Sequence, residues 1–89
     1  MNESEALERV RRAGIAGRFL VAAHARQRMR ERNVAMADVR HGLRAATRCQ
    51  RQTAERWRVP TVDVDGDDSV AVAIEHDVVI VTVFRGGPR

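Results

Sequence analysis

Val78-Val79-Ile80-Val81-Thr82-Val83-Phe84 is apolar at every position but one. A strand with one face in water alternates apolar and polar side chains. A run that is apolar on both parities belongs in the middle of a sheet. The stretch 78–84 is therefore expected to be the central strand, and the neighbouring elements are read outward from it. Upstream, Val70, Val72 and Ile74 alternate with small or polar residues, and Glu75-His76-Asp77 turns the chain between the two strands. Asp65-Gly66-Asp67-Asp68 is a second turn signal. Before it, Trp57 and Val59 share one parity and Val62 and Val64 the other, so Pro60 marks a bulge or an edge position. Residues 47–53 read as a polar strand, with Glu55 opening the next. The second half is thus an antiparallel meander of three or four strands over about 47–84, with a tail at 85–89.

The first half carries helical periods. Asn2 and Glu5 form a capping box for a helix running to about Ala13, with Leu7 and Val10 on its apolar side and Gly14 as its stop. Residues 18–21 are short and apolar enough for an edge strand. A second helix follows over 22–32, closed by Asn33 in the left-handed conformation. A third covers 36–46, where Met36, Val39, Leu43 and Ala46 make one buried stripe and Gly42 weakens the helix. Helices two and three are expected to form a hairpin over one sheet face, leaving the other face free for chemistry or a partner. The fold class is α+β, a single domain over 1–89. Two to three N-terminal helices, within about 2–46, pack on one face of a three- to four-stranded antiparallel sheet.

Charge adds a functional constraint. All 16 basic residues are arginine, and fourteen of them lie between Arg9 and Arg58 against only Glu31, Asp38 and Glu55. The stretch from Asp63 to Asp77 holds six acids and no arginine. This asymmetry points to a phosphate-facing half and a separate acidic edge. Arginine without lysine is also what a GC-rich genome produces, so the clustering carries more weight than the residue choice. A single cysteine, Cys49, makes no internal disulfide and reads as a small residue in a reduced compartment. Neither a membrane-spanning apolar run nor a signal-peptide pattern is present, so a cytoplasmic protein with no membrane partner is expected.

The basic half is densest in His24-Ala25-Arg26-Gln27-Arg28-Met29-Arg30-Glu31-Arg32. On a helix, His24 and Arg28 share a flank with Arg32 a turn further on, beside an apolar strip of Ala25 and Met29. Arg26 and Arg30 point away from His24. The motif His24-Ala25-x-x-Arg28-Met29-x-x-Arg32, the Asn33-Val34 entry to a short helix, the Trp57-Arg58-Val59 strand, the Asp65-Gly66 hairpin and the final 79–84 strand together resemble the bacterial domain-of-unknown-function family 4258. The resemblance covers roughly residues 19–84. That family is similar to the barnase–EndoU–colicin–RelE group of small ribonuclease toxins and, in layout, to the toxin MqsR. The resemblance implies a RelE/barnase-like fold and a metal-independent endoribonuclease paired with an antitoxin that carries a zinc finger and a helix-turn-helix domain. Family members tend to place Ser or Thr before the His-Ala pair; this chain has Ala22-Ala23 there, and Ala35 before the third helix.

Cleaving RNA without a metal takes a base for the 2′-hydroxyl proton, cations for the charge gathering on phosphorus, and an acid for the leaving 5′-oxygen. Histidine can move that proton near neutral pH, whereas arginine can only stabilise charge. The expected catalytic residues are His24, Arg28, Arg58 and Thr82, the last being the one polar residue of the central strand. Arg32, Arg48, Arg51 and Arg56 are the expected RNA-binding residues, with Arg56 and Arg58 on one sheet face. No metal or cofactor is called for. The alternative is a non-catalytic module of the same fold that binds nucleic acid or a partner protein. His41 and His76 read as bland surface residues, and Trp57 as core rather than as a stacking platform.

Overall fold

A computed structural model describes residues 1–60, 69–75 and 78–85, with side chains for all of these but 69 and 83–85. In chain order the elements are α1 (Glu3–Ala16), β1 (Phe19–Val21), α2 (Ala23–Glu31), α3 (Met36–Arg44), β2 (Gln50–Arg51), β3 (Arg56–Pro60), β4 (Ser69–Glu75) and β5 (Val78–Arg85). One sheet holds all the strands in the order β1-β5-β4-β3-β2. β1 runs parallel to β5 and every other pair is antiparallel. The class is α+β, but the sheet has five strands with mixed pairing, not three or four antiparallel ones. The central strand explains the difference. β5 has two edges to satisfy; the β4 hairpin takes one, and Phe19–Val21 takes the other after a crossover that fixes it parallel.

Alternation in β3, β4 and β5 sends Trp57, Val59, Val70, Val72, Ile74, Val79 and Val81 into one core. Ala6, Val10 and Ala13 of α1, Ala25 and Met29 of α2, and Val39 and Leu43 of α3 meet them there. The helices therefore share one sheet face. On the other face Arg56, Arg58, Glu75 and Val78 are exposed, and Ala71, Ile80 and Thr82 are half-buried. Among the described residues no helix is long and apolar enough to cross a membrane.

The Asn2–Glu5 capping box forms as the sequence dictates, with the Glu5 amide donating to Asn2 Oδ1 at 2.8 Å and the Asn2 amide to Glu5 Oε1 at 3.1 Å. α1 does not stop at Gly14. It continues to Ala16 and ends at Gly17, whose φ of +69° is the left-handed cap. Gly14 is instead the point where α1 lies against the backbone of α3. Arg40 of α3 reaches back over this contact, donating from Nε to Gly14 O at 2.9 Å and from Nη2 to Ile15 O at 2.8 Å. α1 has no basic residue in its own last turn, and Arg40 supplies that charge from outside. Arg40→Ala is expected to cost about 1–2 kcal/mol, read as a lower urea midpoint at unchanged m-value; an unmoved midpoint would contradict this role.

Helices two and three do not form the expected hairpin. α3 packs chiefly on α1 and α2 on β5. Asn33 does turn the chain left-handed between them, at φ +58°. α3 also ends earlier than expected, at Arg44, and its buried stripe begins at Val39; Met36, at the first helical position, is 44% exposed. The strand expected over 47–53 shortens to Gln50–Arg51, because the amides of Gln52 and Thr53 both donate to Arg56 O and close a tight turn. β2 reaches β3 only at Trp57 and Arg58, so Pro60 holds the expected edge position. The bulge lies elsewhere. In β5, Val81 stands opposite Val72 while Val83 stands opposite Ala71, leaving Thr82 as the extra residue. The expected turn at 65–68, the 76–77 part of the second turn and residues 86–89 of the tail lie outside the described residues, and β5 takes in Arg85.

Candidate nucleic-acid interface

β1 is three residues long, and the chain leaves it directly for α2. The Ala22 amide donates to Val81 O at 2.8 Å, which pins the start of α2 beside the bulge in β5. Ala22 is extended and gives no side-chain cap, as its methyl group dictates. Burial of Ala25 and Met29 then fixes the rotation of α2. His24 and Arg28 fall on one exposed flank and Arg26 and Arg30 on the other. His24 is exposed, and its ring makes no hydrogen bond to a described residue. Arg28 lies 3.9 Å from Glu31, whose other oxygen accepts from Gln27 at 3.4 Å. An exposed pair at that distance leaves Arg28 available to a phosphate. Arg32 closes the helix at its C-cap and is half-buried.

Across the sheet, register does what sequence spacing could not. Gln50 of β2 pairs with Arg58 of β3, Arg58 with Ala71 of β4, and Ala71 faces the Thr82–Val83 bulge of β5. The next position along this transverse line is Ala22, at the entry to α2. Arg58, Thr82 and the helix start that carries His24 thus lie on one row. Neighbouring strands are about 4.8 Å apart, so Arg58 and Thr82 are separated by roughly 10 Å of backbone. Arg58 Nη1 donates to Gln50 Oε1 at 3.4 Å, and Thr82 Oγ1 donates to Ala71 O at 3.1 Å. The threonine hydroxyl thereby satisfies a carbonyl at the bulge and keeps its lone pairs free. Arg56, two residues before Arg58, stands opposite Ala73 on the same outer face. Gln50 is a member of this row that spacing alone did not single out, since only pairing with β3 brings it there.

The remaining expected RNA-binding residues divide. Arg48 is exposed just before β2. Arg51 is paired with Trp57, which puts it on the helix side of the sheet. Its guanidinium lies 4.5 Å over the Trp57 ring, donates to Ala54 O and Met1 O, and its amide faces Glu3 Oε2 at 3.4 Å. Arg51 is therefore a clamp between the N-terminus, β2 and the core tryptophan, and it is not grouped with Arg56 and Arg58. His41 accepts or shares a contact with Arg44 at 3.2 Å on the exposed side of α3, away from this row.

Cys49 is buried, and its thiol is pushed up to about 11, first by desolvation and then by the Glu3 carboxylate. The folded value lies above the ordinary 9.0. The unfolded chain thus loses its proton first, and stability that is intact below pH 9 falls as pH rises toward 11. In the same way, Cys49 is expected to react with a disulfide reagent at pH 8 at least about tenfold more slowly in native than in urea-unfolded protein, since attack needs the thiolate and access. Equal rates would show the site to be open. Among the described residues no three His, Cys, Asp or Glu side chains gather as a metal site. No family model matches the chain, and no curated protein or solved structure is significantly similar to it.

Proposed function

We propose that this protein is a metal-independent endoribonuclease of the toxin type, acting on RNA in the cytoplasm. The observation that carries the reading is the row across the sheet, with Arg58, Thr82 and the start of α2 on one line and the His24 ring open to solvent at its end. An RNA strand laid along that line meets Arg58 on one side and the start of α2, three strand spacings or about 14 Å on, at the other. His24 takes the 2′-hydroxyl proton, the 2′-oxygen bonds to phosphorus, and the bond to the 5′-oxygen breaks, with water supplying its proton. Arg58 and Arg28 hold the charge gathering on the phosphoryl oxygens, and Arg32, Arg48 and Arg56 extend the cationic track. The products are a 2′,3′-cyclic phosphate end and a 5′-hydroxyl end. An antitoxin of the zinc-finger and helix-turn-helix kind is the partner this reading entails. Purified protein incubated with RNA in chelator tests it: fragments ending in cyclic phosphate support it, and intact RNA overturns it.

A second reading has its own observation. The Thr82 hydroxyl is already spent on Ala71 O and Glu31 sits within reach of Arg28, an arrangement that suits holding RNA without cutting it. Salt-sensitive binding with the RNA left whole is the outcome that selects this non-catalytic module.

A further inference from the structure

Resting on the RNA reading, we infer that the hollow between α1 and β2 seats a nucleobase of the bound strand, and that it takes a base bearing an exocyclic amine in preference to uracil. Three hollows, of about 520, 290 and 320 Å³, lie along α1. The second shares a member with the row across the sheet. Gln50 pairs with Arg58 at the β2 end of that row and also lines this hollow, and Arg48, two residues earlier, lines it too. An RNA strand that crosses Arg58 therefore arrives beside the hollow after one strand spacing, about 4.8 Å.

Its size and its walls suit one base. Sites for whole drug-sized ligands run from roughly 300 to 1,000 Å³, and a single base is smaller than those ligands. Leu7, half-buried against the core, and buried Cys49 give an apolar surface for the face of a ring. Glu3, Ser4, Thr47 and Arg48 are exposed around them and bring polar groups to its edges. A splayed-out base, flat and with bonding groups round its rim, matches that combination.

The preference follows from Glu3. Its Oε2 lies 3.4 Å from the Arg51 amide, and its charge helps to raise the Cys49 thiol, so the carboxylate faces β2 and the hollow. An ionised carboxylate only accepts hydrogen bonds. Adenine, cytosine and guanine each carry an amine that can donate to it. Uracil offers N3–H between two carbonyl oxygens, and those oxygens repel the carboxylate. The Ser4 and Thr47 hydroxyls donate or accept as required and add no choice of their own. Arg48 holds the phosphate of the same nucleotide. The seated base then lies on the far side of Arg58 from α2, where it sets the register of the strand without touching the linkage beside His24.

The test measures binding of short 2′-O-methyl oligomers of adenosine, cytidine or uridine, which have no free 2′-hydroxyl and so report binding without cleavage. The adenosine and cytidine oligomers are expected to bind about tenfold more tightly than the uridine one, the scale of one hydrogen bond to a charged acceptor. Two variants at exposed positions take the same measurement. Glu3→Gln keeps an acceptor for the Arg51 amide and adds a donor for a uracil oxygen, whereas Ser4→Leu fills the hollow. In each, the three oligomers should bind within about threefold of one another, and the circular dichroism spectrum should match that of the parent. A uridine oligomer bound by the parent as tightly as the others, or a preference unchanged in both variants, overturns the inference. Equal binding that weakens steeply with salt would do so while leaving the RNA reading in place. No binding of any oligomer would overturn both.

Discussion

A Gly14→Val variant is expected to be unfolded at 37 °C, and Gly14→Ala to lose about 3 kcal/mol or more, at the upper end of what overpacking costs. In an open helix the sign is opposite, since alanine in place of glycine gains about 1 kcal/mol. Here a Cβ on residue 14 would stand 2.4 Å from Arg44 N, 2.9 Å from Arg44 Cα and 2.9 Å from Leu43 C. All three are backbone atoms of α3, so no side chain can rotate away to make room. α3 would have to retreat from α1 as a unit, taking Leu43 out of the core and Arg40 off the carbonyls of Gly14 and Ile15. Each kcal/mol is worth roughly 4–8 °C in a domain of this size, so thermal melts of the alanine variant should fall by well over 10 °C. A melting temperature equal to or above that of the parent would show that α1 and α3 do not meet through residue 14.

The same glycine marks where sequence reading ran out. Gly14 and Gly17 both follow the apolar run of α1, and local propensity allows either to end it. The choice falls to Gly17 because the contact with α3, thirty residues on, needs residue 14 to be bare inside the helix. Local signals read well where they are self-contained: the Asn2–Glu5 box, the left-handed Asn33, the two-residue alternation of β3 and β4, and the doubly apolar β5. What depends on pairing did not. Nothing in Phe19-Leu20-Val21 says that it lies parallel to β5, and nothing in the run to Phe84 says that Thr82 is the bulged residue rather than another outward member of the ladder.

Arginine parity separates in the same physical way. Arg56 and Arg58 sit two apart in one strand, so their shared face follows from the pleat. Arg51 belongs to a different strand, joined through the turn closed by Arg56 O, and that turn sets its parity opposite to theirs. It therefore covers Trp57 instead of facing the outer surface. Of the candidate site, the flank of α2 was legible from the spacing of Ala25 and Met29. The alignment of that helix start with Thr82 and Arg58 was not, because it arises from register across three ladders.

Removal of the His24 imidazole is expected to lower RNA cleavage by about 10²–10⁴-fold, the range for losing a positioned acid or base. Arg58→Ala should cost roughly 10²-fold, as for a lost donor to developing charge. Arg26→Ala, on the opposite flank of α2, should change the rate by no more than about threefold, because exposed arginines there serve only long-range attraction. If His24 and Arg58 act on one phosphate, the double variant should fall well short of the product of the two single losses, since residues working as a unit are not additive. Thr82→Val separates the row from its scaffold. It deprives the Ala71 carbonyl of its donor, so its effect should appear in the melting temperature as well as in the rate. His24 and Arg58 are both exposed, so His24→Ala and Arg58→Ala should leave the melt within about 2 °C of the parent. Should Arg26→Ala prove as damaging as Arg58→Ala, the active centre would lie on the other flank of α2, with the row across the sheet reduced to a docking track. Full loss with Arg58→Ala beside an unaffected His24→Ala would instead leave the arginines holding RNA for a proton-transfer group elsewhere in the chain.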